Sequence, residues 1–141
     1  MIKQISLIIL VFFSFLSSQL SYAQELEKSQ IVGFWNRTGG FVNSEEKVNC
    51  DIERTGTNYL FNSDSTYLMT RSYGDDITGK WWIEGNSIVL LRDPYKTYNL
   101  EVIPKKKTWK VNWKSSDCFY IVNQVEDKGK MYDIYDVFIR N

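Results

Sequence analysis

The sequence predicts an all-β domain, an antiparallel up-and-down β-barrel of eight to ten strands. Short runs rich in β-branched and aromatic residues recur about every 8 to 12 residues, and polar, Gly-bearing or Pro-bearing turns separate them. No amphipathic helical run is long enough to cover a sheet. Closure into a barrel is the simplest way to remove the two edges of such a sheet, although a two-sheet sandwich fits the same spacing.

The first 23 residues have the features of a cleaved signal peptide. Lys3 supplies a positive charge, residues 7–16 are mostly apolar, and Ser21 and Ala23 place small residues at the two positions that determine cleavage. A membrane anchor is the alternative, but the apolar run is shorter than the ~18 residues that a spanning helix needs. We therefore expect a signal peptide at 1–23 and one barrel domain at 24–141.

The cysteines indicate an exported protein with a disulfide. The first cysteine is Cys50, so none follows the cleavage point to carry a lipid, and we expect a periplasmic or secreted product. Two cysteines in an exported chain, Cys50 and Cys118, most simply form one disulfide. That bond would close a loop of about 70 residues and contribute roughly 4 kcal/mol.

The predicted elements follow from turn residues and apolar runs. Residues 24–30 form a lead-in or a turn of helix, and 31–35 form a strand that the paired glycines near 39 end. A loop at 41–47 precedes a strand at 48–53 that carries Cys50. The remaining predicted strands span residues 58–61, 66–71, 77–83, 87–92, 97–103, 108–113, 118–122 and 131–140.

The turns between these strands differ in how clearly the sequence marks them. The hairpin turn at 84–86 (EGN) is the firmest, and Asn and Asp favour a turn at 62–65. Pro94 indicates the turn at 93–96. The three lysines at 105–107 follow Pro104 and are predicted to form a solvated turn, with binding of an anion or a membrane surface as the alternatives.

Alternation along each strand predicts which side chains face the interior. The faces of 118–122 and 131–140 are ambiguous because both carry apolar residues. The predicted inward residues are Tyr59, Phe61, Tyr67, Met69, Gly79, Trp81, Ile83, Ile88, Leu90, Tyr98, Leu100, Val102, Trp109, Val111 and Trp113.

Three segments resemble the bacterial lipocalin-like domain family, small exported proteins with an eight-stranded barrel of the calycin type. They are residues 33–35 (GFW), 61–67 (FNSDSTY) and 79–90 (GKWWIEGNSIVL). The resemblance implies structural roles for Gly33 and Trp35 on the first strand and for Arg140 on the last, with the guanidinium over the indole in a contact of about 1 kcal/mol. The sequence departs from the family at Ser65, where a glycine is usual.

Catalytic and metal-binding patterns are weak. The chain has no histidine, and the adjacent carboxylates at 45–46 and 75–76 would point to opposite faces of a strand. Asn62 and Asp64 with the 75–76 pair could supply oxygens to Ca²⁺, but the twelve-position calcium loop is missing. We expect neither an enzyme nor a metal or other cofactor.

Charge limits the range of partners. Without Lys3 the 17 basic residues become 16 against 17 acidic ones, so the mature net charge is about −1. We therefore expect no nucleic-acid partner, and no stable membrane insertion.

A small hydrophobic or amphiphilic ligand in the barrel is the expected function. Arg71 would lie near the barrel mouth and could pair with the carboxylate of a fatty acid or a similar amphiphile, unless the strand has ended and Arg71 faces water. The candidate lining residues are Tyr67, Met69, Arg71, Trp81, Tyr98, Trp109, Trp113 and Tyr120. The alternative is that the aromatics fill the barrel. The protein would then be an envelope or secreted interaction module, such as an inhibitor, acting through loops at 36–47 and 72–76.

Overall fold

The computed structural model describes residues 25–51, 56–97, 100–102 and 104–141. The predicted signal peptide and the strand residues Tyr98 and Ile103 lie outside the described residues. The elements are a short helix α1 (Lys28–Ile31), a 3-10 turn (Glu45–Lys47) and strands β1 (Gly33–Val42), β2 (Asn58–Phe61), β3 (Thr66–Thr70), β4 (Ile77–Glu84), β5 (Ser87–Arg92), β6 (Tyr95–Thr97), β7 (Leu100–Val102), β8 (Lys106–Lys110), β9 (Asn112–Ser115), β10 (Cys118–Asp127) and β11 (Lys130–Arg140). Within these ranges, no helix is long and apolar enough to cross a membrane.

Nine of these strands form one antiparallel sheet that curls into a nearly closed barrel. Their order is β8-β5-β4-β3-β2-β1-β11-β10-β9. Most neighbours in this order also follow one another along the chain, as an up-and-down barrel requires. The predicted fold class is confirmed.

The barrel closes through one bent segment. Strands β8 and β9 lie at the two ends of the sheet order, yet only Val111 separates them in the chain. In β8, Trp109 pairs with Ile88 of β5; in β9, Trp113 pairs with Phe119 of β10. Counted as one bent strand, β8 and β9 give the described part of the barrel eight strands.

The turn between β4 and β5, which lies beside the end of β8, holds the bend. The amide of Val111 donates a 3.0 Å hydrogen bond to the carbonyl of Asn86, whose side-chain amide donates at 3.2 Å to the carbonyl of Val111. Away from the bend, β8 pairs with β5 and β10 pairs with β11. No ladder joins β8 to β10 among the described residues. The wall of the barrel is therefore open between β8 and the outer half of β10.

One half of the interior is packed with aromatic rings. Phe119 and Phe138 stack with centroids 4.7 Å apart, and Trp35 meets Phe119 edge-on at 4.8 Å. Leu26 and Ile31 cover this end and are buried in the same cluster. Because these rings leave water together and interlock, they supply the main apolar burial of the fold.

The inward positions predicted for β2 to β5, β8 and β9 lie in or against this core, and the structure settles the last two strands. Phe119, Ile121 and Phe138 face inward. Tyr120 and Val137 lie on the outer face, in a second cluster that includes both half-cystines and Val48. The predicted disulfide between Cys50 and Cys118 is present and fastens the segment before residue 51 to the outside of β10.

Two predictions near the N-terminal half are wrong. The glycines near 39 do not end the first strand, because β1 continues to Val42. The glycines lie where the pairing of β1 with β11 shifts register, between Thr38 and Val42. The predicted strand at 48–53 is not a strand over its described residues, 48–51. Pairing with β11 sustains β1, whereas the disulfide and apolar packing position 48–51 without a ladder.

Two predictions in the second half also need correction. The lysines at 105–107 are not a free turn, since Lys106 begins β8 and pairs with Leu91. The predicted barrel strand at 97–103 is instead part of a separate hairpin, β6 with β7, in which Thr97 pairs with Leu100. That hairpin is not hydrogen-bonded into the barrel sheet within the described residues.

Candidate functional site

The open half of the barrel holds a cavity of about 520 Å³. It lies where the wall is unpaired, between β8 on one side and β10 on the other. Tyr59, Trp109, Ile121, Val125 and Ile134 give it an apolar wall. The other six described lining residues are polar, and a concave surface of this size that combines apolar and polar side chains fits a small-molecule site.

Strand alternation explains which polar side chains reach the cavity. Trp109 faces the interior, so Lys107, two residues earlier on β8, does the same, and Lys105 continues that face beyond the strand. On β11, Asp136 shares the inward face of Phe138. Arg37 is likewise two residues after Trp35 on β1.

An ion pair between β1 and β11 lines the cavity, with Asp136 buried and Arg37 partly exposed. The Arg37 guanidinium donates to Asp136 Oδ1 from Nη2 at 2.7 Å and from Nε at 3.1 Å. Asn123 Nδ2 donates to the other oxygen, Oδ2, at 2.5 Å. Asp136 is only 6 % exposed, and burying such a carboxylate is tolerable because both oxygens are bound.

Lys107 has no such partner. Its side chain is exposed where it borders the cavity, and its ammonium group makes no ion pair or hydrogen bond with any residue in the described ranges. Burial lowers the pKa of its amine, and the nearby cations Arg92, Arg37 and Lys105 lower it further, while Asp136 acts in the opposite direction. The cavity thus contains an ammonium group in surroundings with too little negative charge.

Tyr59 lines the inner end of the same cavity. Its ring packs edge-on against Trp109 with centroids 5.2 Å apart. Burial raises the pKa of its phenol to about 12. The hydroxyl therefore stays neutral throughout the physiological range.

The β10–β11 hairpin extends the apolar surface past the cavity mouth. Val125 and Tyr132 are cross-strand partners on the inner face and are 44 % and 47 % exposed. Val122 and Met131, on the outer face, are also exposed. The hairpin therefore presents uncovered apolar side chains on both of its faces.

The structure places the sequence-predicted lining residues in different environments. Trp109 lines the cavity. Tyr67, Met69 and Trp81 belong to the packed interior, where Trp81 is fully buried and its Nε1 donates to the carbonyl of Asn62 at 3.0 Å. These three residues help to fill the barrel and do not line this cavity.

The other predicted liners also lie elsewhere. Arg71 is exposed and donates to the carbonyl of Asp75 in the β3–β4 loop, at 2.7 Å from Nη2. Tyr120 is on the outside, where its hydroxyl donates to Glu45 Oε1 at 2.5 Å. Trp113 lines a separate recess of about 500 Å³ beside Arg140. Tyr98 lies outside the described residues.

The contact between the first and last strands is present. Trp35 and Arg140 are register partners, and the guanidinium carbon of Arg140 lies 4.6 Å from the centre of the indole ring. Arg140 also donates to the carbonyls of Gln30 and Val32. Gly33 has a φ of +133°, a conformation that L side chains rarely adopt. These residues join the two strands and the covering segment at the closed end.

The sequence gives the lysines at 105–107 an anion-binding role only as an alternative, and it does not single out Arg37 or Asp136. Lys105, Lys107, Arg37 and Asp136 were not among the predicted ligand residues. The signal that could have found the lysines is the alternation through Trp109, continued two and four residues upstream.

No protein-family model matches this chain, and no curated protein sequence matches it. Within the described residues, no three His, Cys, Asp or Glu side chains are grouped so that they could hold a metal ion.

Proposed function

We propose that this is an exported, lipocalin-like binding protein that holds a small hydrophobic or amphiphilic molecule in the open half of its barrel. The observation that carries the proposal is the cavity of about 520 Å³ with an apolar wall that includes Trp109. Its volume lies within the range of about 300–1,000 Å³ common for ligand sites. The proposal includes no catalytic step.

Two further features support it. Aromatic packing fills one end of the interior, and the open space at the other end borders that core at Tyr59, Trp109 and Ile121. The disulfide fits a protein that works in an oxidising compartment outside the cytoplasm.

Fluorescence quenching tests whether an apolar ligand enters the cavity. A lipid panel should quench the tryptophan emission of the wild-type protein, and Trp109→Phe should remove most of that change. Trp82→Phe is the matched control, because Trp82 lies on the outer face of β4 beneath Lys106, away from the cavity. Its quenching should match that of the wild type.

Native mass spectrometry of the protein purified from its own organism is the second test. A co-purifying mass of a few hundred daltons is expected. If no mass co-purifies and no lipid quenches the emission, the proposal is wrong.

The hairpin gives one observation in favour of a protein-interaction module as the second candidate. Val122 and Met131 are 42 % and 59 % exposed on its outer face, away from the cavity. Binding of an envelope protein to the wild type and to the two variants separates this function from ligand carriage. The interaction module is favoured if the wild type and Trp109→Phe bind that protein and Val122→Asp does not.

A further inference from the structure

The cationic side chains of the cavity outnumber its carboxylates. Arg37, Lys105 and Lys107 line it, and Asp136 is the only described carboxylate that does. Both oxygens of Asp136 are already occupied, one by Arg37 and one by Asn123. Asp136 therefore neutralises Arg37, and no carboxylate among the described lining residues remains to compensate the two lysines.

The position of Lys107 makes this imbalance significant. Its register partner on β5 is Leu90, which is 4 % exposed, so Lys107 extends from the inward-facing side of β8. The exposed ammonium group borders the cavity without a partner among the described residues, so a bound anion can pair with it without breaking an existing ion pair. Lys106 is different, because it reaches outward to Glu84 at 3.4 Å.

The apolar wall begins beside this charge. Lys107 and Trp109 share one face of β8, two residues apart, which corresponds to about 7 Å along a strand. Ile121 and Val125 lie across the gap on β10. A molecule with a charged end at Lys107 can therefore place its apolar part on Trp109 and between the two strands.

We propose that the ligand is an amphiphile with a single anionic head group, a carboxylate or a phosphate, bound by Lys107 and Lys105. This rests on the proposed function, since it specifies the ligand of the same cavity. An ammonium group is a compact charge with three donors, which suits either head group. Arg37 stays committed to Asp136 and forms the wall of the site.

Isothermal titration calorimetry of the disulfide-bonded mature protein tests the inference with ligands of one chain length. Decanoate should bind about tenfold tighter than decan-1-ol, because a charge-assisted contact adds to the same apolar burial. Decyltrimethylammonium should bind more weakly than decan-1-ol. Decyl phosphate identifies which head group the site prefers. Tighter binding than decanoate indicates a phosphate head group, and weaker binding indicates a carboxylate.

Variants of neighbouring lysines locate the effect. Lys107→Gln should reduce the preference for decanoate over decan-1-ol to less than about threefold, and Lys107→Arg should restore most of it. Lys106→Gln is the matched control and should leave every affinity unchanged. Circular dichroism of each variant verifies that the barrel has formed.

The outcomes separate the inference from the proposed function. If decan-1-ol and decanoate bind the wild type equally, or if Lys107→Gln keeps the full preference, the inference is overturned while ligand binding stands. If none of the decyl compounds binds, the proposed function fails and the inference fails with it.

Discussion

Ser65 is a residue whose backbone conformation does not suit its side chain. Its φ is +71°, in the left-handed region, because it completes the turn between β2 and β3. The turn is fixed by its neighbours: Ser65 N–H donates to Asn62 at 3.1 Å, and its carbonyl accepts from the amide of Trp81 at 2.8 Å. Glycine is usual at this position in the family that the chain resembles. The backbone conformation of Ser65 is one that favours glycine.

Replacing Ser65 with glycine should stabilise the protein. Ser65→Gly removes the left-handed strain and should raise the free energy of unfolding by about 0.5–1 kcal/mol, measured by urea denaturation. The loss of the exposed hydrogen bond from Lys28 Nζ to Ser65 Oγ reduces the gain only slightly. Ser65→Ala loses that bond and keeps the strain, so it should be no more stable than wild type. A Ser65→Gly variant less stable than Ser65→Ala would contradict this account.

Tyr59 should make stability depend on pH in the alkaline range. Burial raises its pKa from 10.0 to about 12, so the unfolded chain loses the phenolic proton first as the pH rises. This difference in pKa contributes up to about 3 kcal/mol to the free energy of unfolding. The contribution is complete below pH 10 and is lost between about pH 10 and 12.

Tyr59→Phe isolates this effect from the other titrating groups. The stability advantage of the wild type over Tyr59→Phe should shrink as urea unfolding is repeated from about pH 9 to about pH 11.5. If the difference in unfolding free energy between the two proteins stays constant over this range, the Tyr59 phenol ionises equally in the folded and unfolded states.

Gly79 allows β3, β4 and β5 to pack closely. A Cβ atom at this position would lie 2.3 Å from the carbonyl oxygen of Leu91 and 2.6 Å from the Tyr67 ring. Gly79→Ala must therefore displace backbone, and we expect a loss of about 1–3 kcal/mol in urea unfolding. Gly129→Asn is the control, since no atom lies within 4 Å and Asn tolerates the left-handed turn. Equal losses in the two variants would contradict the packing argument.

The disulfide acts on an element that has no ladder of its own. It joins residues 68 apart and holds Cys50 against the outer cluster on β10 and β11. Replacing Cys50 and Cys118 together with alanine should lower the free energy of unfolding by about 2–4 kcal/mol. Limited proteolysis should then cut within 43–51 before it cuts the barrel strands. A variant that resists proteolysis there would show that apolar contacts suffice.

The elements show what a sequence can and cannot determine. The β4–β5 hairpin was predictable because its turn residues and its two-residue alternation agree, and both are local signals. The strand predicted around Cys50 failed because its β-formers pack on an outer cluster made by distant residues. The extension of β1 past its glycines also depends on a distant strand, β11.

The site was harder to predict than the fold for a related reason. The sequence predicts aromatic liners because these residues are apolar, yet Tyr67 and Trp81 fill the closed half and Tyr120 lies on the outer face. The lysines at 105–107 are exposed, as the sequence predicts, but Lys105 and Lys107 also line the cavity because they follow the inward alternation of Trp109. Which half of a barrel stays open depends on where the closing strand bends, and that bend is set by a hydrogen bond between Val111 and Asn86.

At the scale of the whole molecule, the barrel has a packed half and an open half, and under the proposed function the open half binds the ligand. The closed half is covered by α1 and packed by Phe61, Trp81 and their neighbours. The open half contains the gap between β8 and β10, the ion pair of Arg37 with Asp136, and Lys107, whose ammonium group has no partner among the described residues. A substitution should therefore change either stability or binding, according to the half in which it falls.

One substitution in each half tests this division. Val125→Glu places a carboxylate at the cavity mouth; it should weaken decanoate binding about tenfold and change stability by less than about 0.5 kcal/mol, because Val125 is 44 % exposed. Phe61→Leu removes volume from the packed half and should cost about 1–3 kcal/mol while the decanoate affinity stays unchanged. Calorimetry and urea unfolding on the same preparations measure both quantities. If Phe61→Leu weakens binding as much as Val125→Glu does, the two halves are energetically coupled, and the aromatic core also determines the shape of the site.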